Sequence, residues 1–92
     1  MDNIEYKIQR YELYPPDEST SFVVGFKISD TLNNNRSGYI EALIPLTDAS
    51  GKTSNEICQL AYNKIKIQID DLVKDLISKR NNLIGYTFVP NA

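Results

Sequence analysis

The chain contains no histidine, one cysteine and no apolar run approaching the length that spans a bilayer. Each shortage removes a class of activity. Without an imidazole, the common route that activates a serine or cysteine nucleophile is closed. Zinc centres built from cysteine and histidine are closed too, since a lone Cys58 cannot complete a ligand set. A single cysteine forms no internal disulfide, and nothing in the composition asks for an oxidising compartment. A membrane-crossing helix needs roughly 20 apolar residues in a row. The start, Met1-Asp2-Asn3-Ile4-Glu5, lacks the basic flank and apolar stretch of a signal peptide. No membrane association is expected, and a cytoplasmic location is, in the host cell or in an assembled particle if the chain is phage-encoded. Asn35-Arg36-Ser37 matches a glycosylation sequon but reads more simply as a turn.

Basic excess is missing as well. Ten Lys and Arg stand against 12 Asp and Glu, for a net charge of −2, so overall charge gives no pull toward nucleic acid or anionic lipid. What remains is an ordinary globular composition: 41% apolar and 24% charged, too apolar for a disordered chain. Ninety-two residues suit one domain, spanning residues 1–92, with one modest core. The abundance of Asn and Ile fits an AT-rich bacterial or phage genome.

Strand signals come first. Ile4, Tyr6 and Ile8 alternate, then the phase shifts to Tyr11 and Leu13, which predicts a strand with a bulge near Gln9-Arg10. Pro15-Pro16 ends it. In the second strand Phe22, Val24, Phe26 and Ile28 share a face, opposite Val23, Gly25, Lys27 and Ser29. A polar connection centred on Asn33-Asn34-Asn35 leads to a third strand, with Ile40, Ala42, Ile44 and Leu46 on one face and Tyr39, Glu41 and Leu43 on the other. The second and third strands should form an antiparallel hairpin.

One long helix signal follows. Thr53-Ser54-Asn55-Glu56 is a capping box, and the pattern runs to about Lys79. Ile57, Cys58, Ala61, Tyr62, Ile65, Ile69, Leu72, Val73 and Leu76 fall on one side, with Asn63, Lys64, Asp70, Asp71 and Lys74 opposite. Such a helix, about 26 residues or roughly 39 Å, outruns a strand of about 25 Å. It should overhang the sheet, break, or lean on another chain. Leu83 to Val89 predicts a last strand, free to pair with an edge of the sheet, the first strand included. The expected fold is α+β: a small, mostly antiparallel sheet of three to four strands on one long C-terminal helix, in β-β-β-α-β order.

Gly51-Lys52-Thr53 sits where a phosphate-binding loop would end. That loop needs glycine where Leu46 stands, and Pro45 removes a further backbone donor, so the tripeptide reads as a turn and a helix cap. Cys58 lies on the apolar stripe and reads as a core residue. Asp70, Asp71 and Asp75 are interleaved with Lys74 and Lys79 and read as a solvated face. No catalytic residue, cofactor site or metal site is expected, and no enzyme activity. Tyr6, Phe22, Phe26, Tyr39, Tyr86 and Phe88 lie on predicted strands, where bases could stack, but Glu5, Glu12 and Glu41 offset Lys7, Arg10 and Lys27.

Leu60 and Ile67 interrupt the charged side of the helix seven residues apart. They are candidate interface residues, with Tyr62 and Tyr86 at the rim, and the edges of the second and terminal strands are alternatives. The leading expectation is a non-catalytic protein-interaction or structural accessory protein, a component of a phage or bacterial assembly. It would contact another protein chain, as an oligomer of itself or with a different partner. The alternatives are an acidic inhibitor or regulator of a nucleic-acid enzyme and a sheet-face nucleic-acid-binding module; nucleic acid is not the expected partner.

Overall fold

The computed structural model describes residues 3–32, 36–80, 87 and 89–91. Three strands come first: β1 (Ile4–Tyr14), β2 (Ser21–Asp30) and β3 (Arg36–Pro45). They form an antiparallel meander in the order β1-β2-β3. A four-residue turn of helix, α1 (Leu46–Ala49), leads to α2 (Ser54–Lys64) and α3 (Lys66–Ser78).

β2 is therefore the central strand, paired on both sides, and cannot be the open edge its sequence suggested. Its composition explains the position. Phe22, Val24, Phe26 and Ile28 face the helices, and Val23 and Gly25 on the opposite face are buried as well. A strand covered on both faces carries an unbroken apolar run, as Phe22 to Phe26 does. The bulge expected in β1 is present: the register with β2 shifts between Ile8 and Arg10. Beyond β1 the Tyr14–Pro15 peptide is cis.

The single long helix expected from Thr53 to Lys79 is divided at Ile65, whose backbone (φ −114°, ψ 24°) leaves the helical range. The apolar spacing supplies a physical reason. Ile57, Ala61, Ile65 and Ile69 recur every four residues, and each such step drifts about 40° around a straight helix. A bend at Ile65 keeps all four buried: Ile57, Ala61 and Ile69 at 3% exposure or less, Ile65 at 8%. Hydrogen bonds from Ile65 N to Ala61 O and from Ile69 N to Ile65 O carry the ladder through the bend. At the start of α2 the capping box is complete: Glu56 N donates to Thr53 Oγ1, and Thr53 N donates to Glu56 Oε1.

The expected fourth strand falls mostly outside the described residues. Of Leu83 to Val89 only Thr87 and Val89 are described, neither in a strand, and Val89 is exposed. The core lies between the helices and the inner faces of β2 and β3: Val24, Phe26, Ile28, Ala42 and Ile44 against Ile57, Ala61, Ile65, Ile69 and Leu76. Cys58 and Leu72, expected deep in that core, are half-buried at its border. At the far end of β2, Asp30 is buried and receives both Nε (2.7 Å) and Nη2 (3.0 Å) of Arg80, together with the Leu32 amide. This pair ties the end of α3 to the end of β2. No helix among the described residues is long and apolar enough to cross a membrane.

Candidate protein-interaction site

The helices lie over β3 and β2, so among the described residues the inner face of β1 is left open. A helix about 10 Å wide covers roughly two strands spaced about 4.8 Å apart. Because α2 and α3 follow one another as a bent rod, the third strand receives little cover. The inner face of β1 is nonetheless apolar. Tyr6, Ile8, Tyr11 and Leu13 are set opposite Ile28, Phe26, Val24 and Phe22, and are 47%, 48%, 37% and 47% exposed. Four large apolar side chains in one row form a patch, unlike scattered single ones.

The row borders a groove of about 290 Å³ between β1 and α2, lined by Tyr6, Phe26, Asn55, Cys58, Gln59 and Tyr62. Tyr62 projects from α2 and meets both Tyr6 (6.0 Å between centroids) and Phe26 (6.4 Å) edge-on. Lys66 lies over the Tyr62 ring at 5.7 Å and pairs with Asp70. Tyr11 stacks on Phe22 at 5.3 Å. Burial raises the Tyr6 and Tyr11 hydroxyls and the Cys58 thiol above their ordinary pKa ranges. Cys58 is thus a poor nucleophile despite its place near the start of α2.

The two sheet edges differ. Thr31 N donates to Asn3 O and Leu46 N donates to Thr20 O. With the two-residue period of an antiparallel ladder, these bonds fix which groups point outward. On β3 the outward groups belong to Ser37, Tyr39, Glu41, Leu43 and Pro45. Pro45 has no N–H to offer, and Lys64 Nζ donates to Leu43 O, so the end of that edge at Leu43 and Pro45 is obstructed, while Ser37, Tyr39 and Glu41 lie outside this block. On β1 the outward groups belong to Ile4, Tyr6, Ile8, Tyr11 and Leu13, and nothing among the described residues pairs with them.

The outer face of the sheet is of another kind. The Tyr39 ring lies across Gly25, where an added Cβ would sit 2.0 Å from the tyrosine oxygen. Tyr39 Oη donates to Glu41 Oε2 (2.7 Å), and Arg10 binds both Glu41 (3.0 Å) and Glu12. These bonds raise the Tyr39 hydroxyl, through the Glu41 carboxylate, and lower Glu41, through Tyr39 first and Arg10 second. Aromatic rings are present, but the central cation is already held by two carboxylates.

The residues singled out from the sequence are dispersed. Leu60 and Ile67 sit on separate helices, one half-buried and the other exposed. Leu60 packs against the core and lines a groove of about 530 Å³ with Ile44, Pro45, Asp48, Lys52 and Lys64. Ile67 is 76% exposed near the start of α3. Tyr62 belongs to the β1 groove, and Tyr86 lies outside the described residues. The open row on β1 is the feature the sequence reading missed. No family model, curated protein or solved structure matches this chain.

Proposed function

We propose that the chain is a non-catalytic interaction component that acts by holding another protein chain against its β1 side, as small accessory proteins of bacterial or phage assemblies do. The observation that carries this reading is the row Tyr6, Ile8, Tyr11 and Leu13, apolar and about half exposed beside a covered core. Water contact along such a row is unfavourable by about 25 cal/mol per Å² of apolar surface, and a partner removes it. The aromatic groove beside it gives an incoming side chain an anchor point, as the centres of protein interfaces commonly do. The histidine-free composition supports the same reading, since it narrows the catalytic alternatives.

A photo-crosslinking amino acid at Leu13 in the source cell tests the reading, with Asp71 on exposed α3 as the control position. The expected result is a discrete protein adduct at position 13 and none at position 71. Equal, diffuse labelling at both positions would remove the β1 side as a contact surface.

A further inference from the structure

We propose that the occupant of the β1 edge is β1 of a second copy, paired antiparallel about a twofold axis so that Lys7 of each chain lies opposite Glu12 of the other. This rests on the β1-contact reading and narrows it to one partner. The three described strands of each copy then join into one continuous sheet.

The register follows from three features of β1. The first is hydrogen-bond phase. The outward backbone groups belong to Ile4, Tyr6, Ile8, Tyr11 and Leu13, and two of these must face each other for a ladder bond to form. Setting Lys7 against Glu12 of the copy brings Tyr6 opposite Leu13 and Ile8 opposite Tyr11. The twofold axis repeats both pairs, for about eight backbone hydrogen bonds.

The second is the bulge. A regular strand laid along β1 falls out of phase where the register slips between Ile8 and Arg10. That is how a bulge guards an edge. A second copy carries the same irregularity. In this register Gln9 and Arg10 of one chain meet Arg10 and Gln9 of the other, and the strands stay in phase on both sides. The bulge that turns away other strands thereby admits this one.

The third is charge. Lys7 sits opposite Lys27 of β2, an unfavourable like-charge pair on the outer face. The proposed register supplies on its other side Glu12, which Arg10 of the same chain also holds and whose second carboxylate oxygen can take Lys7, twice in the dimer. A shift of two residues toward the N-terminus would instead set Glu5 against Glu12 and Lys7 against Arg10, like against like. On the inner face the pairing gathers Tyr6, Ile8, Tyr11 and Leu13 of both copies into one strip between the two helical layers, where each row shelters the other from water.

Sedimentation velocity from low to several hundred micromolar tests the pairing on the full chain, with Lys7→Glu, Glu12→Lys and the double variant. The expected result is a concentration-dependent dimer that each single reversal weakens about tenfold or more, with most of the loss restored in the double variant. Lys7→Glu relieves the Lys7–Lys27 contact within one chain, so a weaker dimer in that variant does not reflect a damaged fold. Hydrogen exchange adds a second readout: the amides of Tyr6, Ile8, Tyr11 and Leu13 should gain protection as concentration rises. A protein monomeric throughout the range, a dimer indifferent to the reversals, or protection independent of concentration each overturns the proposal. The last would place the occupant within the same chain. A discrete adduct to a different protein at position 13, in a chain that stays monomeric, overturns self-pairing while the contact reading stands.

Discussion

Ile67 and Ile69 are the same residue two positions apart on α3, and the structure gives them opposite fates. Ile69 is fully buried in the core, whereas Ile67 is 76% exposed. Truncating Ile69 to alanine removes buried methyl and methylene groups and leaves a cavity that the sheet and helix cannot fully close. That costs about 2–5 kcal/mol. In a domain whose whole stability is about 5–15 kcal/mol, each kcal/mol lowers the melting temperature by about 4–8 °C. Ile69→Ala should therefore melt at least about 8 °C below the parent. Ile67→Ala removes the same atoms from water. Its effect should stay within about 0.5 kcal/mol, with a slight gain because alanine is the better helix former. The assay is urea unfolding followed by circular dichroism at low micromolar concentration, with unchanged denaturant slopes confirming that midpoints can be compared. Equal midpoints for the two variants would refute the placement of α3 on the sheet. So would a larger loss at Ile67.

Thr53→Ala should cost about 0.5–2 kcal/mol through loss of the cap on α2, read as a lower urea midpoint. Gly38→Ala would place a Cβ 2.5 Å from Leu72 Cδ1, the end of a half-buried side chain that can turn aside, and should destabilise by about 1 kcal/mol or less. In a double-mutant cycle Leu72→Ala should remove most of that penalty, because the two positions compete for one volume. The Tyr39 hydroxyl is raised above its ordinary value of 10.0 by its bond to Glu41, so spectrophotometric titration should show a tyrosine ionising late, and Glu41→Gln should bring it earlier. The sign for stability follows. The raised Tyr39 contributes below pH 10 and loses that contribution as pH rises through its folded value, while the lowered Glu41 contributes at neutral pH and loses it as acid protonates the carboxylate. Both groups are largely exposed, so solvent screening keeps these effects small.

Local chemistry was legible in the sequence wherever one segment decided the outcome. The phase shift from Ile8 to Tyr11 announced the bulge, and Thr53 with Glu56 announced the cap, because both depend on residues a few positions apart. The bend at Ile65 was less visible. No proline or glycine marks it, and only the four-residue recurrence of Ile57, Ala61, Ile65 and Ile69 carries the signal. The central place of β2 was readable in the unbroken run Phe22 to Phe26, but periodicity alone ranked it as a hairpin arm. The open row on β1 was hidden for a different reason. Alternation says which face of a strand is apolar and nothing about how far a neighbouring layer extends over it. Tyr6, Ile8, Tyr11 and Leu13 look like core from the sequence, and they would be core beneath a second helix. The missing quantity is width, since one bent helix covers about two strands and the sheet of the described residues has three. An apolar strand in excess of the helical cover is a sequence-level sign of an unfilled contact, more general than the pair Leu60 and Ile67, one half-buried and the other exposed. By that logic the β1 side is the part of this fold left uncovered among the described residues. On β3, by contrast, Pro45 and Lys64 obstruct one end of the edge, an obstruction that β1 lacks among the described residues.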